Sequence, residues 1–173
     1  MHILMGLLVA AAGAFWAFRY FTDAAREGRE ALRDVKGLYR SGKWSRQVDR
    51  RLIENLADPR EAAAILLYQV ASYDGAVTDR QKAAMVSEMR SAFSADEETV
   101  EGLYAFARMA LGQINDASNS LKKILRPVIE ACTPEEKRAL LDMLLRMAEI
   151  EGPVSDVQHR LIGEARRTLL PAN

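Results

Sequence analysis

Two stretches of the chain carry carboxylates at matched spacing. One runs Ala71-Ser72-Tyr73-Asp74-Gly75-Ala76-Val77-Thr78-Asp79-Arg80-Gln81, the other Ala148-Glu149-Ile150-Glu151-Gly152-Pro153-Val154-Ser155-Asp156-Val157-Gln158. If the two turns converge, Asp74, Asp79, Glu151 and Asp156 offer oxygen ligands to a divalent cation such as calcium or magnesium. The spacing is not that of an EF-hand. The twelfth position counted from Asp74 is Met85, where a bidentate Glu would be required. The same residues also have a structural reading. Asp79 and Asp156 fall in the first turn of a helix, where negative charge is favourable. Thr78 with Gln81, and Ser155 with Gln158, have the spacing of a capping box.

No other constellation points to chemistry. The histidines are His2 and His159, and His159 has no partner at metal-ligand spacing, so it reads as an exposed helical residue. The one cysteine, Cys132, closes the apolar helical run Leu121–Cys132 and reads as a buried thiol. There is no nucleophile–base pairing, Gly-rich phosphate loop or Cys/His cluster. The chain therefore reads as non-enzymatic. Asp96-Glu97-Glu98 reads as a solvated acidic helix start, and Met85, Met89, Met109, Met143 and Met147 as core.

The elements that position these residues are all helices. A capping residue followed three positions on by Glu or Gln marks most starts: Asp58/Glu61 with Pro59 between, Thr78/Gln81, Ser94/Glu97, Thr133/Glu136 and Ser155/Gln158. These predict helices over 59–73, 78–92, 95–114, 134–151 and 156–169, with another over 118–131 beginning near Asn115-Asp116-Ala117-Ser118. Apolar residues at 44, 48, 52, 53, 56 and 57 predict an amphipathic helix before them. No stretch reads as a strand. Val70–Arg90 aligns with Met147–Arg167, so the bundle contains two similar helical hairpins. In each copy Gly suits a left-handed C-cap, where a Cβ would be costly.

Ahead of this domain, Ile3 to Phe18 carries no charge, and Trp16, Tyr20 and Phe21 follow as interfacial aromatics. Residues 1–21 are thus read as a transmembrane anchor, 22–43 as a charged juxtamembrane connector, and 44–173 as one helical domain. Arg19, Arg26, Arg29, Arg33, Lys36, Arg40 and Lys43 all follow the span, which places the N-terminus outside and the domain in the cytoplasm of a bacterial inner membrane. A cleaved signal peptide is the competing reading, and it would make the domain periplasmic or secreted. Gly6, Ala10 and Ala14 at spacing four would let two such helices pair as a homodimer. Residues 1–51 hold ten Lys/Arg against five Asp/Glu, whereas 52–173 hold fourteen against nineteen. The acidic domain argues against nucleic-acid binding.

The A-x-x-D-G-x-V-T turn at Ala71–Thr78, its duplication and the seven-helix layout resemble the TerB-like domain of tellurite resistance proteins over roughly 52–170. The anchor before a cytoplasmic domain resembles the front of DjlA-type membrane co-chaperones, although no His-Pro-Asp motif of a J domain occurs. The first resemblance implies an all-α bundle whose acidic turns, here Asp74 and Glu151, hold a metal. The family's acid three residues after the Ser/Thr is replaced by Gln81 and Gln158, which removes two carboxylates. The expected role is a membrane-tethered module that recruits a cytoplasmic protein in envelope or stress physiology. The alternative is a divalent-ion sensor or buffer built on the paired acidic turns.

Overall fold

The computed structural model describes residues 52–114 and 117–171. Six α-helices and one 3-10 helix lie among them, with no strand: α1 (Pro59–Ser72), α2 (Asp79–Phe93), α3 (Glu97–Ile114), the 3-10 turn Ala117–Ser120, α4 (Leu121–Ala131), α5 (Pro134–Ala148) and α6 (Asp156–Leu169). The expected anchor, connector and homodimer contact fall on residues 1–51, outside the described residues. Among the described residues no helix is long and apolar enough to cross a membrane.

The bundle is organised around α1. Its run of Ala, Ile, Leu and Val makes ten of its fourteen residues buried, and only a narrow polar edge at Arg60, Glu61, Tyr68 and Ser72 is partly exposed. It packs most extensively on α3 and also on α5, α4 and α2. The small residues Ala62, Ala63 and Ala64 on α1 and Ala107 and Ala110 on α3 are all buried. The other helices are amphipathic and present one stripe each, such as Met85, Met89 and Phe93 from α2 and Leu161, Ile162 and Ala165 from α6. Residues 52–54 are helical, as the amphipathic pattern predicts, with Ile53 and Leu56 buried in the core. Arg126 of α4 holds this entry segment by donating to the carbonyls of Glu54 at 2.7 Å and Leu56 at 3.4 Å.

Three of the expected capping boxes form in full: Thr78/Gln81, Thr133/Glu136 and Ser155/Gln158. Two do not. Asp58 caps α1 through Arg60 N at 2.8 Å, and its carboxylate also takes the Arg60 guanidinium. Ser94 is the left-handed C-cap of α2, with φ +48°, and α3 is instead capped by Asp96, which accepts from Thr99 N at 2.8 Å. The chain needs a reversal between two closely spaced helices, and Ser94 serves that reversal. Helix α5 ends at Ala148, three residues before the predicted end. Cys132 is buried as expected. Met85, Met89, Met143 and Met147 are core, but Met109 is only half-buried.

Burial gives Glu61 an unusual titration. Loss of solvation first, and the nearby Asp58 second, push its carboxyl up to about 7 against the pull of Arg60. The folded state therefore holds a proton that the unfolded chain releases near 4.5. Stability from this group is full below about pH 4.5 and declines as pH rises to about 7. Glu61→Gln is expected to raise stability at pH 8 by about 1–2 kcal/mol, after allowance for the favourable helix dipole, and to flatten the slope across that window. Chemical denaturation of both proteins at pH 5 and pH 8 checks this; an unchanged difference between the two pH values would refute it.

Candidate partner surface and the paired turns

The two acidic turns do meet. Thr78 Oγ1 donates to Glu151 Oε1 at 2.8 Å, across 73 positions of sequence. In the first turn Gln81 Oε1 accepts from Thr78 N at 2.9 Å while Gln81 N donates to Thr78 Oγ1 at 3.1 Å. In the second, Gln158 Oε1 accepts from Ser155 N at 2.9 Å and from Ser155 Oγ at 3.0 Å. Gln158 Nε2 then donates to the carbonyl of Val70 at 2.9 Å, tying the start of α6 to the end of α1. Both glutamines are buried, at 6% and 2% exposure, which is rare for Gln and marks them as structural ties.

Asp74, Asp79, Glu151 and Asp156 are all exposed. Among the described residues no group of three or more His, Cys, Asp or Glu side chains is placed to hold a metal ion. The turns converge, but through a hydroxyl–carboxylate bond, and the positions that would have added two more carboxylates are occupied by buried amides. This donor set does not fit a resident cation. Calcium, magnesium, manganese or zinc is expected to give no rise in Tm that depends on Asp74 and Glu151. A specific rise lost in Asp74→Asn/Glu151→Gln would reverse that conclusion.

Gly75 and Gly152 hold φ of +134° and +147°, at equivalent places in the two turns. A Cβ at either would meet no heavy atom within 4 Å, so the requirement is backbone conformation alone. Gly152→Ala and Gly75→Ala are each expected to cost about 1–3 kcal/mol, similar at the two sites. Thermal unfolding of the single variants measures it; a neutral effect at either would show that the turn relaxes freely.

A second feature was not singled out from sequence. A trough runs along α3 beside α2, lined by Lys82, Glu101, Tyr104, Ala105, Arg108, Met109, Gly112 and Gln113. Lys82 lies 5.1 Å from the Tyr104 ring centroid and 3.3 Å from Glu101, and Tyr104 packs edge-on against Tyr68 at 5.5 Å. Burial and the neighbouring Tyr68 raise the Tyr104 phenol above its usual range. Gln113 Oε1 is buried with no hydrogen-bond donor among the described residues. The signal available in sequence was the i, i+4 row Glu101, Ala105, Met109 beside Tyr104 and Arg108, which mixes apolar and charged residues and so matches no core stripe.

These features define an all-α domain of two joined helical hairpins, with turn residues committed to holding the hairpins together and an open trough on α3. Residues 60–170 match the family of tellurite resistance protein TerB, and the chain belongs to that family. No curated protein and no solved structure matches the chain.

Proposed function

We propose that this TerB-family chain is a membrane-tethered, cytoplasm-facing interaction module that recruits a protein partner to the inner membrane, acting by binding and not by catalysis. The carrying observation is the contrast between its two polar features. The turn residues Thr78, Gln81, Ser155 and Gln158 use their hydrogen-bonding capacity within the fold. The α3 trough instead presents the half-buried Tyr104 and Met109 beside the exposed cation Arg108, surface that a partner can cover. Envelope or stress physiology is the setting that the family suggests.

Two experiments test the parts separately. C-terminal fusions to a fluorescent protein and to alkaline phosphatase report orientation: peripheral fluorescence without phosphatase activity is expected, and phosphatase activity would overturn the cytoplasmic placement. A photo-crosslinking residue at Ala105 is expected to give one discrete protein adduct in cells, lost in Arg108→Glu. Absence of any adduct in a folded variant would sink the recruitment role of the trough.

A further inference from the structure

The domain is net acidic, yet two adjacent helices are not. Helices α4 and α6 pack on each other, and Lys122, Lys123, Arg126, Arg160, Arg166 and Arg167 outnumber Glu130, Asp156 and Glu164 on them. All six cations are exposed. On α6, Arg160, Glu164 and Arg167 recur at helical spacing along one side, and Glu164 and Arg167 line a groove with Lys122, Lys123 and the polar residues Ser118, Asn119, Ser120 and Thr168. The entry segment reaches the domain at this same face: Arg126 holds the Glu54 and Leu56 carbonyls, and Lys123 lies 3.6 Å from the Glu54 carboxylate. The sequence immediately before that segment, residues 22–51, is itself rich in Lys and Arg.

We infer that the α4–α6 face is a docking surface for an anionic lipid bilayer. The inference rests on the tethered reading above, and it adds which side of the domain meets the membrane. The described chain begins on this face, where Glu54 meets Arg126 and Lys123, so a tether ahead of it joins the domain on the same side. Cations there gain from the negative surface potential of the cytoplasmic leaflet within a Debye length, each improving docking by about five-fold. The trough is carried on α2 and α3, so docking through α4 and α6 leaves it for a protein partner.

The full chain is reconstituted in vesicles of phosphatidylcholine, or of phosphatidylcholine with phosphatidylglycerol, and amine acylation of Lys122 and Lys123 is read by mass spectrometry against Lys82 on α2. A several-fold loss of acylation at Lys122 and Lys123 on the anionic vesicles alone, restored by high salt, is expected. Arg160→Glu/Arg167→Glu keeps both reporter lysines and is expected to abolish the protection by weakening docking at least about ten-fold. Equal acylation on the two vesicle types, or protection unaffected by the two reversals in a variant of unchanged helicity, overturns the inference. Equal protection by inorganic phosphate on neutral vesicles also overturns it, by assigning the face to a soluble anion. Alkaline extraction of the same vesicles tests the tether independently: release of the chain would defeat the anchored reading, while the lysine comparison still decides whether this face binds anionic lipid.

Discussion

Leu66→Ala is expected to lower the stability of the domain by about 3–5 kcal/mol. Leu66 sits at the middle of α1 with 0% exposure, and its neighbours Ile65 and Leu67 are equally buried. At 0% exposure the shortened side chain has no route to water, so the void is filled only by collapse of neighbours. Four other helices pack on α1, so neighbours on each of them would have to shift together to close the void. The cost is therefore the lost transfer energy plus a cavity that stays open. A domain of this size should lose roughly 10–20 °C in Tm. Leu66→Met, which keeps volume, should cost less than about 1.5 kcal/mol. Thermal unfolding followed by circular dichroism compares the two. A loss under about 1 kcal/mol for the alanine variant would mean that α1 is not the axis of the core.

Why some of this was legible in sequence follows from which forces are local. A capping box is a bond between residues three apart, so Thr78/Gln81, Thr133/Glu136 and Ser155/Gln158 are readable wherever they occur and set three helix starts correctly. The positive φ of the duplicated Gly turns was readable for the same reason, but neither Gly is the C-cap: Tyr73 and Glu149 hold that place in right-handed conformation, and Gly75 and Gly152 turn the chain after them. Ser94 misled because its neighbourhood satisfies the local pattern, while the tertiary path requires a left-handed residue there and leaves Asp96 to cap α3. Asp58 misled in another way: the cap is present, but Arg60 competes for its carboxylate and Glu61 does not complete the box.

The candidate site divides along the same line. The carboxylates were visible as types and spacings, and the repeat raised the condition that the two turns meet, which they do through Thr78 and Glu151. What spacing does not carry is the partner each side chain chooses. Glu151 takes the Thr78 hydroxyl, a bond between residues far apart in sequence, and that choice exists only once α1, α2, α5 and α6 are assembled. The α3 trough was invisible for a related reason. Met109 reads as core by type, and only the placement of α2 beside α3 leaves it half-exposed next to Arg108 and Tyr104.

Gln158→Glu should cost about 2–4 kcal/mol at pH 7, although it is the smallest change of shape available. The amide oxygen's role survives the change, because a carboxylate still accepts from Ser155 N. The nitrogen's role does not. Val70 lies in the last turn of α1, where helix carbonyls lack an intrahelical partner, and Gln158 Nε2 is its donor at 2.9 Å. A carboxylate in that place meets a carbonyl oxygen with no proton between them, at a position only 2% exposed. The folded state would hold the introduced carboxyl protonated, so its pKa rises above the unfolded value. The variant then regains stability as pH falls and loses it as pH rises through that raised pKa. Chemical denaturation at pH 5 and pH 7 should therefore show a deficit that shrinks in acid. Gln158→Leu, which removes donor and acceptor together, should show a deficit of similar size at both pH values. If Gln158→Glu is as stable as the parent at pH 7, the amide is not the tie between the two hairpins, and the position is free to carry the carboxylate on which a metal site would depend.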